Sequence, residues 1–375
     1  MGSNVFSSLG ALGGTYTGWI IPFLFVLTII VFFHELGHFL VARLNGIRVL
    51  VFSIGFGPEL FGFNDRHGTR WKISAVPLGG YVKFFGDENA ASVPDTSTLS
   101  AMTEEERKQS FPGQSVGARA AVVAAGPITN FILAIAIFAG VFMVYGKTTA
   151  IPRISTIEPG SPAAAAGFQV GDLIVAIDGT KIDNFVDVQR IVNFSAGKTL
   201  DIEVERGNNV VTLHATPAEK NKRGILGITR ANEPGDVKTE SVGPLEAVWL
   251  GADKTWFVVS TTMGYLRDVV SGRQSADQIG GPIKIAQISG EVARLGIGPL
   301  LDFTALLSVS IGLLNLFPVP LLDGGHLLFY LIEAVRGRPL SERAQEFGFR
   351  IGLAIVVMLM IFAAFNDLRP YWPGS

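Results

Sequence analysis

The chain has 375 residues, a net charge of −2 and no cysteine; 48% of its residues are hydrophobic and only 17% charged. Soluble domains carry about 25% charged residues, so this composition points to a membrane protein with soluble parts. The near-neutral balance argues against a nucleic-acid partner, and the lack of thiols excludes disulfides and leaves histidine and carboxylate as metal ligands.

The first element, within residues 1–48, is an apolar run over 19–43, long enough to cross a bilayer. The N-terminus lacks the basic start and small-residue cleavage site of a signal peptide, so this run is expected to stay as a span. No charge occurs from Trp19 to Phe33, and then comes His34-Glu35-Leu36-Gly37-His38. Residues i and i+4 share a helix face, so His34 and His38 can hold one zinc ion, with Glu35 beside its water as general base. Ionisable groups at membrane depth are costly and read as functional. The alternative is a helix end with two unrelated interfacial histidines.

Residues 49–118 read as a β-hairpin followed by a polar loop. Stretch 49–86 alternates polar and apolar residues and is rich in glycine, whereas 88–110 reads as a solvated loop with one exposed helix at Glu104–Lys108. A second span is expected at 119–146, interrupted by Gly126-Pro127. Segment 151–231 reads as a compact β-rich domain: a strand at 153–158, a short helix capped by Ser161, and a strand at 172–177. An Asp178-Gly179 turn, a helix at 184–194, and two strands at 199–206 and 210–215 complete it. Segment 232–299 is expected to supply amphipathic helices at the membrane surface, because charges such as Asp253, Lys254, Arg267 and Asp268 argue against a further span.

The third span is expected within 300–326, a loop at 327–346, and the fourth span at 347–368. Arginine and lysine concentrate in 44–118 and in the loop carrying Arg336, Arg338 and Arg343, which places both on the cytoplasmic side and 146–299 on the other. The third span ends in Asn315-Leu-Phe-Pro-Val-Pro-Leu-Leu-Asp323-Gly-Gly-His326. Two prolines two apart cannot continue a helix, so the chain must unwind there. Asp323 then lies at the depth of His34 and His38, and completes the three protein ligands of a catalytic zinc site. Its alternative role is to cap a new helix starting at Gly324; His326 reads as interfacial or as a supporting donor.

These two motifs, with a β-rich domain between them, resemble the site-2 protease family of intramembrane zinc metalloproteases, most closely its bacterial members that regulate the sigma-E response. Ser53–Pro58, Val76–Lys83 and Ala125–Asn130 resemble further family stretches. The resemblance implies a polytopic α-helical membrane protein with four transmembrane helices, a cytoplasmic membrane-associated β-hairpin and one extracytoplasmic PDZ-like α+β domain. Relatives often carry two PDZ domains; one is found here. It further implies one catalytic zinc on His34, His38 and Asp323, with Glu35 as base. Substrate backbone would be bound by Asn315 and by a hairpin edge including Val76, Gly79, Gly80 and Tyr81, with Asn130 lining the site. The implied partners are single-span membrane proteins already shortened on the extracytoplasmic side, such as anti-sigma factors or remnant signal peptides. A peptide or tail on the PDZ-like domain and the lipid bilayer complete them, and the implied location is the bacterial inner membrane. A non-catalytic scaffold would have lost one of the four zinc-site residues, and a cation transporter would show repeat symmetry, which is not seen.

Overall fold

The computed structural model describes residues 3–87, 102–182, 184–220, 223–230, 237–273, 276 and 280–369. It forms two compact units, Met1–Val141 with Pro244–Ser375, and Phe142–Gly243.

The first unit is built on helices. Among the described residues, four are long and apolar enough to cross a membrane: Gly18–Leu44, Val116–Tyr145, Ile297–Asn315 and Arg343–Leu368. They belong to α1 (Ser3–Leu44), α3 (Val116–Tyr145), α8 (Ile297–Asn315) and α10 (Glu342–Leu368). Large apolar side chains such as Ile21, Ile132 and Met360 are exposed on their outer faces, as a lipid solvent allows. Helix α3 runs unbroken through Pro127, contrary to the interruption expected at Gly126-Pro127. In an apolar setting backbone groups must be satisfied within the helix, and the Thr129 hydroxyl adds a 2.7 Å bond to the Ala125 carbonyl beside the proline. Helices α1 and α3 touch through small residues: a Cβ on Gly37 would lie 2.4 Å from the Ala125 oxygen.

Between α1 and α3 lie β1 (Val49–Asn64) and β2 (Arg70–Phe84), then α2 (Glu104–Gln109), whose Thr103 and Glu106 form a capping box. The hairpin is folded over: Ser53 sits opposite both Tyr81 and Lys72, and Phe63 opposite Trp71. Gly55 and Gly57, both at φ 87, make the bend. Phe52, Phe84, Phe39 and Phe111 bury together and fix the hairpin against α1. Its turn is tied to the end of α1 by Asp65, which accepts from Arg43 at 2.5 Å and from the backbone of His67 and Thr69 at 2.9 Å. Burial would raise the Asp65 carboxyl, but these bonds and one from Trp71 bring it down to about 2.

Helix α8 stops at Asn315, and the chain resumes as α9 (Asp323–Arg336), ended by left-handed Gly337. Part of the loop expected at 327–346 is therefore helical. Tyr330 and Leu327 pack into the Phe39–Phe111 cluster, and tertiary burial stabilises the helix. Arg119 and Glu333 form a buried ion pair at 2.6 Å between α3 and α9. The 232–299 region contributes α6 (Pro244–Val270) and α7 (Pro282–Leu295). Gly281 offers α7 no side-chain cap; instead Asp367 of α10 accepts from the backbone N–H groups of Gly281, Ile283 and Lys284 at 2.8–3.1 Å.

The second unit holds a four-stranded sheet in the order β6-β5-β7-β8: β5 is Leu173–Ile177, β6 Thr180–Lys181, β7 Leu200–Arg206 and β8 Asn209–Ala215. Asp178 and Gly179, both at positive φ, make the tight β5–β6 turn. Helices α4 (Pro162–Ala165, capped by Ser161) and α5 (Phe185–Asn193, capped by Asn184) pack with the sheet over Ile154, Phe168, Ile174, Val188, Ile202 and Leu226. The strand expected at 153–158 is β4 (Ile154–Ile157), which pairs with β11 (Ile228–Arg230); outside the expected set, β3 (Lys147–Ala150) pairs with β12 (Val237–Glu240), and β9 (Ala218–Lys220) with β10 (Arg223–Ile225).

Candidate metal centre and active site

Helical spacing on α1 brings the rings of His34 and His38 together, with their Nε2 atoms 3.2 Å apart. Asp323 meets them from the start of α9: its Oδ2 is 3.2 Å from His34 Nε2 and its Oδ1 3.6 Å from His38 Nε2. One ligand atom from each of the three lies within 4.8 Å of the others. Asp323 is the first residue of α9; Leu322 is the N-cap, and no side-chain cap bond forms, so the carboxyl is not spent on capping. Asp323 Oδ2 is buried without a hydrogen bond. His38 Nδ1 lies 2.8 Å from the Val122 carbonyl, so Nδ1 carries the proton and Nε2 turns its lone pair inward. Lone pairs from imidazole and carboxylate thus converge with no proton to separate them. That arrangement fits a divalent cation, and the nitrogen and oxygen donors suit zinc.

The break before α9 holds Asp323 in place. Pro318 and Pro320 interrupt the helix, and Leu321 takes φ 108, a strained conformation for a side-chain-bearing residue two positions before the carboxylate. The glycines that follow allow the tight packing: a Cβ on Gly324 would fall 2.3 Å from the carbonyl oxygens of Leu316 and Phe317. A Cβ on Gly126 of α3 would fall 2.3 Å from His38 Nε2, so this glycine makes room for the two rings.

Glu35 and the three clustered residues open onto a cavity of about 260 Å³. Gly80 and Tyr81 of β2 and Asn315 at the end of α8 also line it. Val82 of β2 lines the cavity as well, so the β2 edge runs beside the Glu35 carboxylate. The expected hairpin residues divide. Gly80 and Tyr81 face the cavity, whereas Val76 pairs with Phe56 and Gly79, at φ 121, packs on the Phe56 ring away from it. Asn130 is fully buried, with its amide nitrogen 3.2 Å from His34 Nδ1. His326 lies among Phe329 and Phe349 and also lines the cavity. Sequence reasoning missed Val122, Gly126 and Leu321. A backbone carbonyl leaves no mark in sequence, but Gly126 beside a proline in an apolar run was a visible signal of close approach.

In the second unit a groove of about 300 Å³ lies between α5 and residues 224–229, lined by Phe185, Val188, Val192 and Leu226. Its helix wall is the helix expected at 184–194; the strand at 223–225 and the strand at 228–230 on the other side were not expected.

Residues 22–359 match Peptidase family M50. A Rhizobium meliloti protein named "Putative zinc metalloprotease R01501" is 53% identical over 92% of this chain and 95% of its own. "Metalloprotease MmpA" of Caulobacter vibrioides is 40% identical over 94% of this chain and 96% of its own. Among solved structures, the PDZ domain of the SdrC-like protein from Listeria monocytogenes aligns with 21% of this chain and 86% of that chain, at 22% identity and a TM-score of 0.20.

Proposed function

Because the chain belongs to peptidase family M50, the site-2 proteases, and is a multi-pass membrane zinc metalloendopeptidase, we propose that it cleaves single-span membrane proteins within or near their membrane segment. One observation carries this reading. Glu35 and the His34–His38–Asp323 cluster lie on or beside apolar, membrane-length helices and open onto a cavity bordered by a β-strand edge.

His34, His38 and Asp323 would hold the zinc. When bound there, zinc supplies the electrophile that polarises the attacking water and the scissile carbonyl. Glu35 takes a proton from the attacking water and returns one to the leaving amine. A membrane helix hides its peptide groups in its own hydrogen bonds, so it must open before hydrolysis. The β2 edge at Gly80–Val82 offers backbone partners for the opened segment, and Asn315 a side-chain amide.

In this reading, which the lysine and arginine bias supports, the hairpin and the active site face the cytoplasm and Phe142–Gly243 the extracytoplasmic side of a bacterial inner membrane. In this reading Phe142–Gly243 acts as a PDZ-like module, and its groove beside α5 takes an extended tail by strand addition or filters substrates by size. The substrates fitting this arrangement are membrane proteins already shortened outside, such as anti-sigma factors, and remnant signal peptides. The test is to incubate purified protein in bilayers with a shortened single-span protein and to map the product ends by mass spectrometry. New termini within or next to the apolar segment support the reading; cleavage only in the soluble parts contradicts it.

A further inference from the structure

We propose that Asn130 is a positioning residue that fixes His34 as a metal ligand, its side-chain oxygen accepting the Nδ1 proton of the His34 ring; this rests on zinc being held at His34, His38 and Asp323. A neutral imidazole offers one nitrogen as lone-pair donor and carries a proton on the other. His34 Nε2 faces His38 Nε2 and Asp323 Oδ2, both at 3.2 Å, so its proton belongs on Nδ1. The polar group at that nitrogen is the Asn130 amide, at 3.2 Å.

The state of that amide supports the assignment. With Nδ2 toward the ring, Asn130 Oδ1 is buried and has no hydrogen-bond partner. An amide N–H and a ring N–H cannot bond to each other. Rotated by half a turn, the amide places Oδ1 on the ring proton. The orientation with Nδ2 toward the ring leaves Oδ1 without a partner, so the ring decides, and ligation through Nε2 requires the oxygen.

The placement also argues against direct substrate contact. Asn130 is 0% exposed, and α8 backs it: the Ser308 hydroxyl donates to the Asn130 carbonyl at 2.8 Å, and a Cβ on Gly312 would lie 3.1 Å from Asn130 Cβ. His38 is held in the same way, its Nδ1 on the Val122 carbonyl at 2.8 Å. Both rings of α1 are therefore oriented by α3, one through backbone and one through a side chain. Partners of this kind set the tautomer and orientation of a ligand, and their loss typically weakens metal binding about 10–100-fold.

The test uses the purified full-length protein in detergent. Zinc affinity is measured by chelator competition for the native chain, His34→Ala, Asn130→Leu, Asn130→Ala and Asn130→Asp, with thermal unfolding to confirm folding. Asn130→Leu and Asn130→Ala are expected to bind zinc about 10–100-fold more weakly, and Asn130→Asp, which keeps an oxygen for the ring proton, to stay near native. If Asn130→Leu does not fold, Asn130→Ala against Asn130→Asp gives the same comparison. Unchanged zinc affinity with a raised KM would make Asn130 a substrate contact and overturn the proposal, as would equal losses in the Ala and Asp variants. If native protein and His34→Ala bind zinc alike, the metal assignment itself fails, which is a separate result.

Discussion

Gly80 of β2 stands against Glu35 of α1: a Cβ at Gly80 would lie 3.1 Å from Glu35 Cγ, and 2.8 Å from both the Ser53 oxygen and Val31 Cγ1. The strand edge and the carboxylate therefore share one space that admits no side chain. Gly80→Ala must push the strand off α1 or turn Glu35. The expected result is a loss of kcat of at least about tenfold, in line with the cost of misplacing a catalytic group, while zinc content stays native. Full activity in Gly80→Ala would mean that the edge need not approach Glu35.

Arg119 and Glu333 clamp α3 to α9, the helix that carries Asp323, and the Arg119 guanidinium lies 4.9 Å from the Tyr330 ring centre. Both charges are largely buried. Arg119→Met leaves Glu333 unpaired and is expected to cost about 3–5 kcal/mol. Arg119→Met with Glu333→Leu should recover much of the loss, because two apolar groups leave no orphaned charge. Thermal unfolding of the four forms in one detergent measures the coupling; additive effects would contradict it.

Asp172 is buried in the second unit and accepts two 2.8 Å bonds from Arg206 and one from the Gln169 backbone. Burial would raise its carboxyl, but the Arg206 bonds and charge and the Gln169 N–H hold it below the usual range. A depressed folded-state pKa means stability present above the unfolded value, about 3.9, and lost as pH falls through the folded value. Protection of the Leu173–Ile177 amides in the full chain, measured as hydrogen exchange relative to the intrinsic rate at each pH, should therefore fall on acidification below about pH 4. Asp172→Asn should weaken protection near neutral pH and flatten that dependence. An unchanged acid response in Asp172→Asn would assign it to other groups.

Much of this organisation was legible in the sequence because it rests on local rules. The i, i+4 histidines, the unwinding at Pro318 and Pro320, and the cap at Ser161 each follow from a few neighbouring residues. What escaped depends on contacts between distant segments. The start of the segment expected as a loop at 327–346 forms part of α9 because Tyr330 is buried by α1 and α3 partners. Helix α7 begins without a local cap because Asp367, more than eighty residues away, supplies one. Val76 and Gly79 share the motif of Gly80 and Tyr81, yet the folded-over hairpin turns them toward Phe56. No one-dimensional pattern carries that bend.

The most direct measurement pairs zinc content with cleavage of a tagged, shortened single-span protein by purified native chain and by Glu35→Gln. One zinc per chain is expected in both forms, with cleavage by the native chain that a chelator abolishes and no cleavage by Glu35→Gln. Cleavage that survives Glu35→Gln with zinc still bound would contradict the assignment of Glu35 as the base.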